Sequence, residues 1–411
     1  DSASSSRLSK TFSGASNSRT TFTISAWFKR SKLGATQDLI SAYRSSDGFQ
    51  TDIMRFGSTD DFEFYAHSTN SSGACDLQTN RLFRDVGAWY HVVVRVDTTQ
   101  GTASNRVRIY VNGTQETSFS SSSYMNQNGE VVWGIGSGVE HTIGAVGTSN
   151  YFGGYVAEVV YLDGQSLDAD SFGEFDSDSP TIWKPKDVSG LTFANNSFYL
   201  DFGNSSELGT DVSGRSNSFT ENNIDAQDQS TDTCTNNFAT MNSLNFGAAS
   251  SGEFLNGNLD VHMGGTAQGV YYSTIGVTTG KWVVEVNPDS GSGGNSYIGI
   301  SGMLNNQRGA NDLLGDLAFD YGYYQSDGSV RNNDSDSSYG SSYSNGNIIG
   351  VYLDLDNNKL YFSVNGTVQN SGTGISISDV SNTPSGFYFF CVGDDNAFAE
   401  RRFNLNFGSP I

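Results

Sequence analysis

The chain has 411 residues, more than one ordinary hydrophobic core organises, so length alone points to two domains or three small ones. Its 22 Lys and Arg face 44 Asp and Glu, and a formal charge of -22 repels a phosphate backbone and an anionic leaflet, which argues against nucleic acid and membrane as partners. Charged residues are only 16% of the chain whereas Gly (48), Phe (27) and Tyr (20) are plentiful, the profile of an all-β protein with polar surfaces and glycine-rich turns.

Strands are predicted from alternation with period two at Phe22, Ile24, Ala26 and Phe28, then at Val92, Val94 and Val96, then at Val107, Ile109 and Val111, each half-buried. Turn signals separate them, among them Ser46-Asp47-Gly48, Asn112-Gly113 and Asp163-Gly164. The one helix candidate before Pro180 is a turn or two around Leu167 to Phe175. From residue 181 to 244 the pattern weakens into Asn, Ser, Thr and Asp, which reads as a connecting region; Trp183, Phe193, Tyr199, Phe219 and Phe238 imply that it packs in places. Alternation returns with Trp282 to Val286, Tyr297 to Ile300, Val351 to Leu355 and Leu360 to Val364. The string Arg108-Ile109-Tyr110-Val111-Asn112-Gly113-Thr114 is echoed by Leu360-Tyr361-Phe362-Ser363-Val364-Asn365-Gly366-Thr367, by duplication or by convergent turn chemistry, since an Asn-Gly pair suits a two-residue hairpin with positive φ at both positions.

Cys75, Cys234 and Cys391 are odd in number and far apart, so neither a disulfide framework nor a CxxC metal pattern is expected. No apolar stretch approaches the roughly 18 residues of a spanning helix. The chain opens at Asp1 with DSASSSRLSK, without a methionine or a signal-peptide core, so a removed or missing start is expected.

Residues 1–180 resemble the laminin-G-like, concanavalin A-like lectin/glucanase group in the order of Phe22 to Arg30, Trp89 to Val94, the Tyr110-Val111-Asn112-Gly113 hairpin and Phe152 to Tyr161. Residues 245–411 resemble a SPRY domain through Gly280 to Val286, Ile298-Gly299-Ile300, Tyr321-Gly322-Tyr323 with Asp327-Gly328, Ile348 to Val351, Asp354 and Val364-Asn365-Gly366. The tandem, with the stretches Asp211 to Thr220 and Thr235 to Thr240 between, is similar to virion structural proteins of marine tailed phages. That resemblance implies two consecutive antiparallel jelly-roll sandwiches and a non-catalytic role on the virion surface, as capsid decoration, fibre or tail-associated adhesin. Its implied partners are other virion proteins, a cell-surface glycan and further copies of the chain, with a trimer as the first stoichiometry. A secreted cellular lectin or adhesin, or a glycan hydrolase, is the alternative.

A hydrolase of the concanavalin-like group needs paired carboxylates. The nearest strings, Glu158 to Asp163 and Glu174 to Asp178, do not match a Glu-x-Asp-x-x-Glu run, so no catalytic residue is assigned. His67, His91, His141 and His262 lack zinc spacing. No cofactor is assigned; the resemblance leaves calcium open, with hard oxygen ligands at Asp60-Asp61, Asp354 to Asn358 and Asp394-Asp395-Asn396, but such clusters also build ordinary turns and none is named as a site. Tyr323, Tyr324, Asp327, Tyr339 and Tyr343, lying among Gly, Ser and Asn, are the candidate binding residues, since aromatic faces stack on sugar rings while polar neighbours bond hydroxyls. The competing role for the tyrosines is to fill the sandwich.

Overall fold

The computed structural model describes residues 4–44, 50–70, 73–134, 138–246, 252–263, 269–290, 296–309, 312–394 and 401–408. The predicted turn at Ser46 to Gly48 lies outside them, as do Asp395 and Asn396 of one calcium candidate. All strand pairs are antiparallel, and among the described residues the only helical elements are short 3-10 turns, one of them Ala169–Ser171 inside the predicted helical segment. The chain divides into Asp1–Asn237 and Phe238–Ile411.

The first unit contains, in chain order, β1 (Arg7–Lys10), β2 (Thr21–Arg30), β3 (Gln37–Arg44), β4 (Gln50–Phe56), β5 (Asp61–His67), β6 (Ala74–Leu82), β7 (Trp89–Asp97), β8 (Val107–Val111), β9 (Thr114–Gln115), β10 (Phe119–Ser123), β11 (Glu140–Ile143), β12 (Gly154–Asp163), β13 (Gly173–Phe175), β14 (Trp183–Pro185), β15 (Phe198–Leu200) and β16 (Thr220–Asn222). An eight-stranded sheet, β10-β6-β5-β4-β3-β11-β1-β16, packs on a six-stranded sheet, β15-β12-β2-β7-β8-β9. Their facing side chains form one core, with Phe22, Ile24, Ala26, Phe28, Val92, Val94 and Ile109 from one sheet against Met54, Phe56, Phe62, Phe64 and Leu77 from the other. Phe28 meets Phe56 edge-on at 6.5 Å.

The strands of the six-stranded sheet depart from the half-buried expectation. Val93, Tyr110, Val160 and Leu162, on its back, are buried under Ala169, Phe172, Val188 and Phe193, so both faces of the sheet are covered. The expected connecting region of 181–244 is correspondingly built into the first unit up to Asn237. Strand β15 extends the six-stranded sheet beside β12, β16 extends the other beside β1, and Phe198, Leu200 and Phe219 enter the core.

In the second unit, a sheet runs from Met241–Phe246 through Gly269–Ser273, Phe389–Asp394, Ser296–Ser301, Asp320–Tyr324 and Ser329–Asn332 to Ser335–Ser338. It packs on a sheet built around Lys281–Ser290, Ile349–Asp354, Lys359–Val364 and Arg401–Asn406, and the core between them holds Ile298, Ile300, Tyr323, Val351, Phe362 and Leu405. Both Asn-Gly hairpins form as expected, with φ of 46° and 78° at Asn112 and Gly113 and of 48° and 78° at Asn365 and Gly366. The two asparagines also do the same work: Asn112 accepts the backbone N–H of His91, and Asn365 that of Ile348, each at 2.8 Å.

Candidate functional site

Strands β4, β5 and β6 are adjacent, and strict alternation sends every second side chain into the core. The others point out. Across the register Arg55 lies opposite Glu63 and Glu63 opposite Gln78, while Ile53 lies opposite Tyr65 and Tyr65 opposite Asp76. Together with Thr51 and His67 they line an open groove of about 480 Å³ on the outer face of the eight-stranded sheet.

Within the groove Arg55 grips Glu63 with two hydrogen bonds, of 2.8 and 2.9 Å, a bidentate geometry that fixes both side chains. Burial pushes the Glu63 carboxyl up, Arg55 opposes this, and the charge of Asp76 adds to the rise. The Tyr65 hydroxyl lies 3.1 Å from Nδ1 of His67, with the two rings tilted at 58°. One Asp76 oxygen accepts from Ser121 of β10 at 3.3 Å, and the other, Oδ1, is buried without a hydrogen-bond partner among the described residues. The face thus offers a half-exposed aromatic ring, a buried acceptor in need of a donor, the amide of Gln78 and a guanidinium fixed by Glu63. Those are the elements that recognise a polyhydroxylated ligand.

The sequence pointed elsewhere, to Tyr323, Tyr324, Asp327, Tyr339 and Tyr343, and the structure does not gather these into a binding surface. Tyr323, Tyr339 and Tyr343 belong to the core of the second unit. Tyr323 stacks on Phe362 at 4.9 Å and donates to the Ser341 carbonyl; Tyr343 donates to the Ser296 carbonyl at 3.2 Å; Tyr339 accepts the Phe362 N–H at 3.3 Å. Their faces are spent on packing in the core between the sheets. Tyr324 is half-buried and stacked on Tyr297 at 4.6 Å, and exposed Asp327 caps the Ser329 N–H at a turn.

The carboxylates weighed for catalysis have structural partners. Glu158 sits at a bulge of β12 with φ of 52°, and Tyr199 donates to it. Asp163 accepts the backbone N–H groups of Asn17, Ser18 and Asn196. Among the calcium candidates, Asp60 pairs with Arg30 and Arg84, and Asp354 with Lys281. No cluster of three or more His, Cys, Asp or Glu suited to a metal occurs among the described residues. Cys75, Cys234 and Cys391 are all free thiols, with Cys75 and Cys391 buried.

Residues 5–169 match the concanavalin A-like lectin/glucanases superfamily, and residues 280–408 match the SPRY domain. The chain carries a concanavalin A-like domain and a SPRY domain in tandem. Its similarity to solved structures includes the SPRY domain of human HERC1, 14% identical over 39% of this chain and 96% of that one, with a TM-score of 0.32. A human SPRY domain is 19% identical over 39% of this chain and 98% of that one, at 0.30. Stonustoxin is 14% identical over 41% of this chain and 27% of its own, at 0.32. No curated protein matches the chain. Both domains are lectin-like binding folds, and the groove lies on the concanavalin A-like one. Strands β15 and β16 fall beyond its matched residues yet complete both of its sheets.

Sequence reasoning missed the groove although β4, β5 and β6 follow one another in the chain, because an outward-facing polar residue on a strand reads as ordinary solvated surface until the register sets it beside its neighbours. The available signal was the outward set at positions 51, 53 and 55, then 63, 65 and 67, then 76 and 78, polar or aromatic throughout except for Ile53, and that set becomes a site only through the register.

Proposed function

We propose that this chain is a non-catalytic binding and structural protein that recognises a glycan in the groove of its concanavalin A-like domain. The observation carrying this reading is the convergence of Arg55, Tyr65, His67, Asp76 and Gln78 on one open face, with an unpaired Asp76 oxygen. Its place is the exterior of a virion, as decoration, fibre or tail-associated adhesin, in contact with other virion proteins and with further copies of itself, a trimer first. That location is supported by the similarity of the tandem and its intervening stretch to phage structural proteins and by the acidic, sparsely charged composition.

Binding to immobilised bacterial surface glycans, compared between the wild type and Tyr65→Ala, tests the site; equal binding by both removes it. Protein identification in purified particles, with copy number, tests the location, and recovery solely from uninfected cells refutes it.

A glycan hydrolase is the second reading, favoured by one observation. Glu63 and Asp76 lie on neighbouring strands, diagonal in the register, with the Glu63 carboxyl raised. Against it, Glu63 is held by Arg55. Reducing-end release that disappears in Glu63→Gln would establish that reading.

A further inference from the structure

We propose that Lys29 and Asn237 are joined by a side-chain amide that forms without an enzyme, with Asp232 as the proton carrier. The three residues meet on the back of β2. Lys29 Nζ lies 2.7 Å from Asp232 Oδ2 and 2.8 Å from Asn237 Oδ1. The Lys29 side chain is 0% exposed and that of Asp232 2%, and Trp89 donates its indole N–H to the other Asp232 oxygen at 3.0 Å. Trp27, Trp89, Tyr155 and Cys234 pack around the group, with Nζ 5.6 Å from the Tyr155 ring centre. Asn237 is oriented as well: its Nδ2 donates to the Gly87 carbonyl at 2.8 Å, which turns the carboxamide oxygen, and the carbon behind it, toward the lysine.

A buried ion pair is costly, because desolvation of both charges offsets their attraction. Transfer of the lysine proton to the carboxylate relieves that cost and leaves a free amine, the nucleophilic form. Burial lowers the affinity of Lys29 for its proton, although Asp232 opposes the effect. Nζ then adds to Cγ of Asn237, which the fold already holds within reach, so little entropy remains to be lost. The Nζ–Cγ bond forms and the Cγ–Nδ2 bond breaks. Asp232 passes to Nδ2 the proton it took from the ammonium and accepts the second proton that Nζ sheds; the leaving ammonia carries that second proton away as ammonium on the exposed side of Asn237, and Asp232 ends as a carboxylate. No oxidant, metal or cofactor enters the balance.

Asn237 is the last residue of the first unit, and β2 lies inside the six-stranded sheet between β12 and β7. Such a bond passes tension arriving along the chain from residue 238 directly to β2. Without it, the same pull would peel β16 and β15 from their sheet edges.

The test is the intact mass of the denatured full chain, followed by peptide mapping. The expected result is a mass lower than the sequence by one ammonia and a branched peptide containing Lys29 and Asn237. Asn237→Ala, at an exposed position, should restore the mass expected from its own sequence while the circular dichroism spectrum stays native. Lys29→Arg should do the same, and Asp232→Asn should leave the chain largely unlinked. The full sequence mass in the wild type would overturn the proposal, as would an ammonia loss that maps elsewhere. A mass lower by one water, with Lys29 joined to Asp232, would overturn it too.

Discussion

The indole N–H of Trp183 donates to Nδ1 of His91 at 2.9 Å, and the opposite ring nitrogen of His91 lies 2.8 Å from the Ser25 hydroxyl. With Nδ1 as acceptor the ring is neutral, and burial lowers its pKa from 6.5 to about 3. Trp183 lies in the stretch that the sequence presented as a connection, and it sets the tautomer of a core histidine.

A histidine whose folded pKa is depressed contributes stability that is full above its unfolded value and lost as the pH falls. For His91, and for His141 with the same depression, that window runs from 6.5 down to about 3. Ring nitrogen shifts in NMR should report both as neutral at pH 5. Trp183→Phe, which leaves the buried Nδ1 unpaired, should cost about 1–3 kcal/mol in chemical denaturation.

Asp52 is fully buried and accepts three backbone N–H groups, from His67 at 2.7 Å, Val132 at 2.7 Å and Trp133 at 2.9 Å. Removing the acceptor orphans all three donors. Asp52→Ala should therefore destabilise the first unit by about 3 kcal/mol or more, and Asp52→Asn by less, since one oxygen remains. Equal urea midpoints for the two variants would contradict this account.

The sequence presented residues 181–244 as a connecting region between a sandwich at 1–180 and another at 245–411. The structure predicts otherwise: residues 1–237 should express as a folded fragment, and residues 1–180 should not. The shorter piece lacks Phe198, Leu200 and Phe219, each worth about 1.5–3 kcal/mol of burial, and exposes the edges that β15 and β16 cover. Thermal unfolding of the two fragments, with the first protease cut mapped in the full chain, decides between the divisions.

Tyrosines on the two domains should respond in opposite ways. Tyr65→Ala should weaken glycan binding about ten-fold, or about 1.4 kcal/mol, with an unchanged Tm. Tyr323→Ala, which empties a core position, should lose about 3–5 kcal/mol of stability and leave groove binding intact. Titration calorimetry beside thermal unfolding separates the two outcomes.

What the sequence determined by itself is local. Alternation at Phe22 to Phe28 and Val92 to Val96 marked strands and the face turned to the core, and Asn112-Gly113 and Asn365-Gly366 marked hairpins, because period and turn chemistry depend only on near neighbours. The all-β class follows from such signals, and the tandem of two sandwiches from the family resemblance that their order carries. Tertiary structure decided the rest. Alternation reports that one side of a strand is apolar, but whether the other side is also covered depended on Phe172, Val188 and Phe193 folding back over Val93 and Tyr110. A tyrosine among glycines and serines reads as a sugar platform or as core, and only the tertiary structure turned Tyr323 inward onto Phe362 while leaving Tyr65 on an outer sheet face. The groove is local in sequence but becomes a surface only through the register of β4, β5 and β6, and the Lys29, Asp232 and Asn237 group has no local signature, since the return of the chain brings its members together.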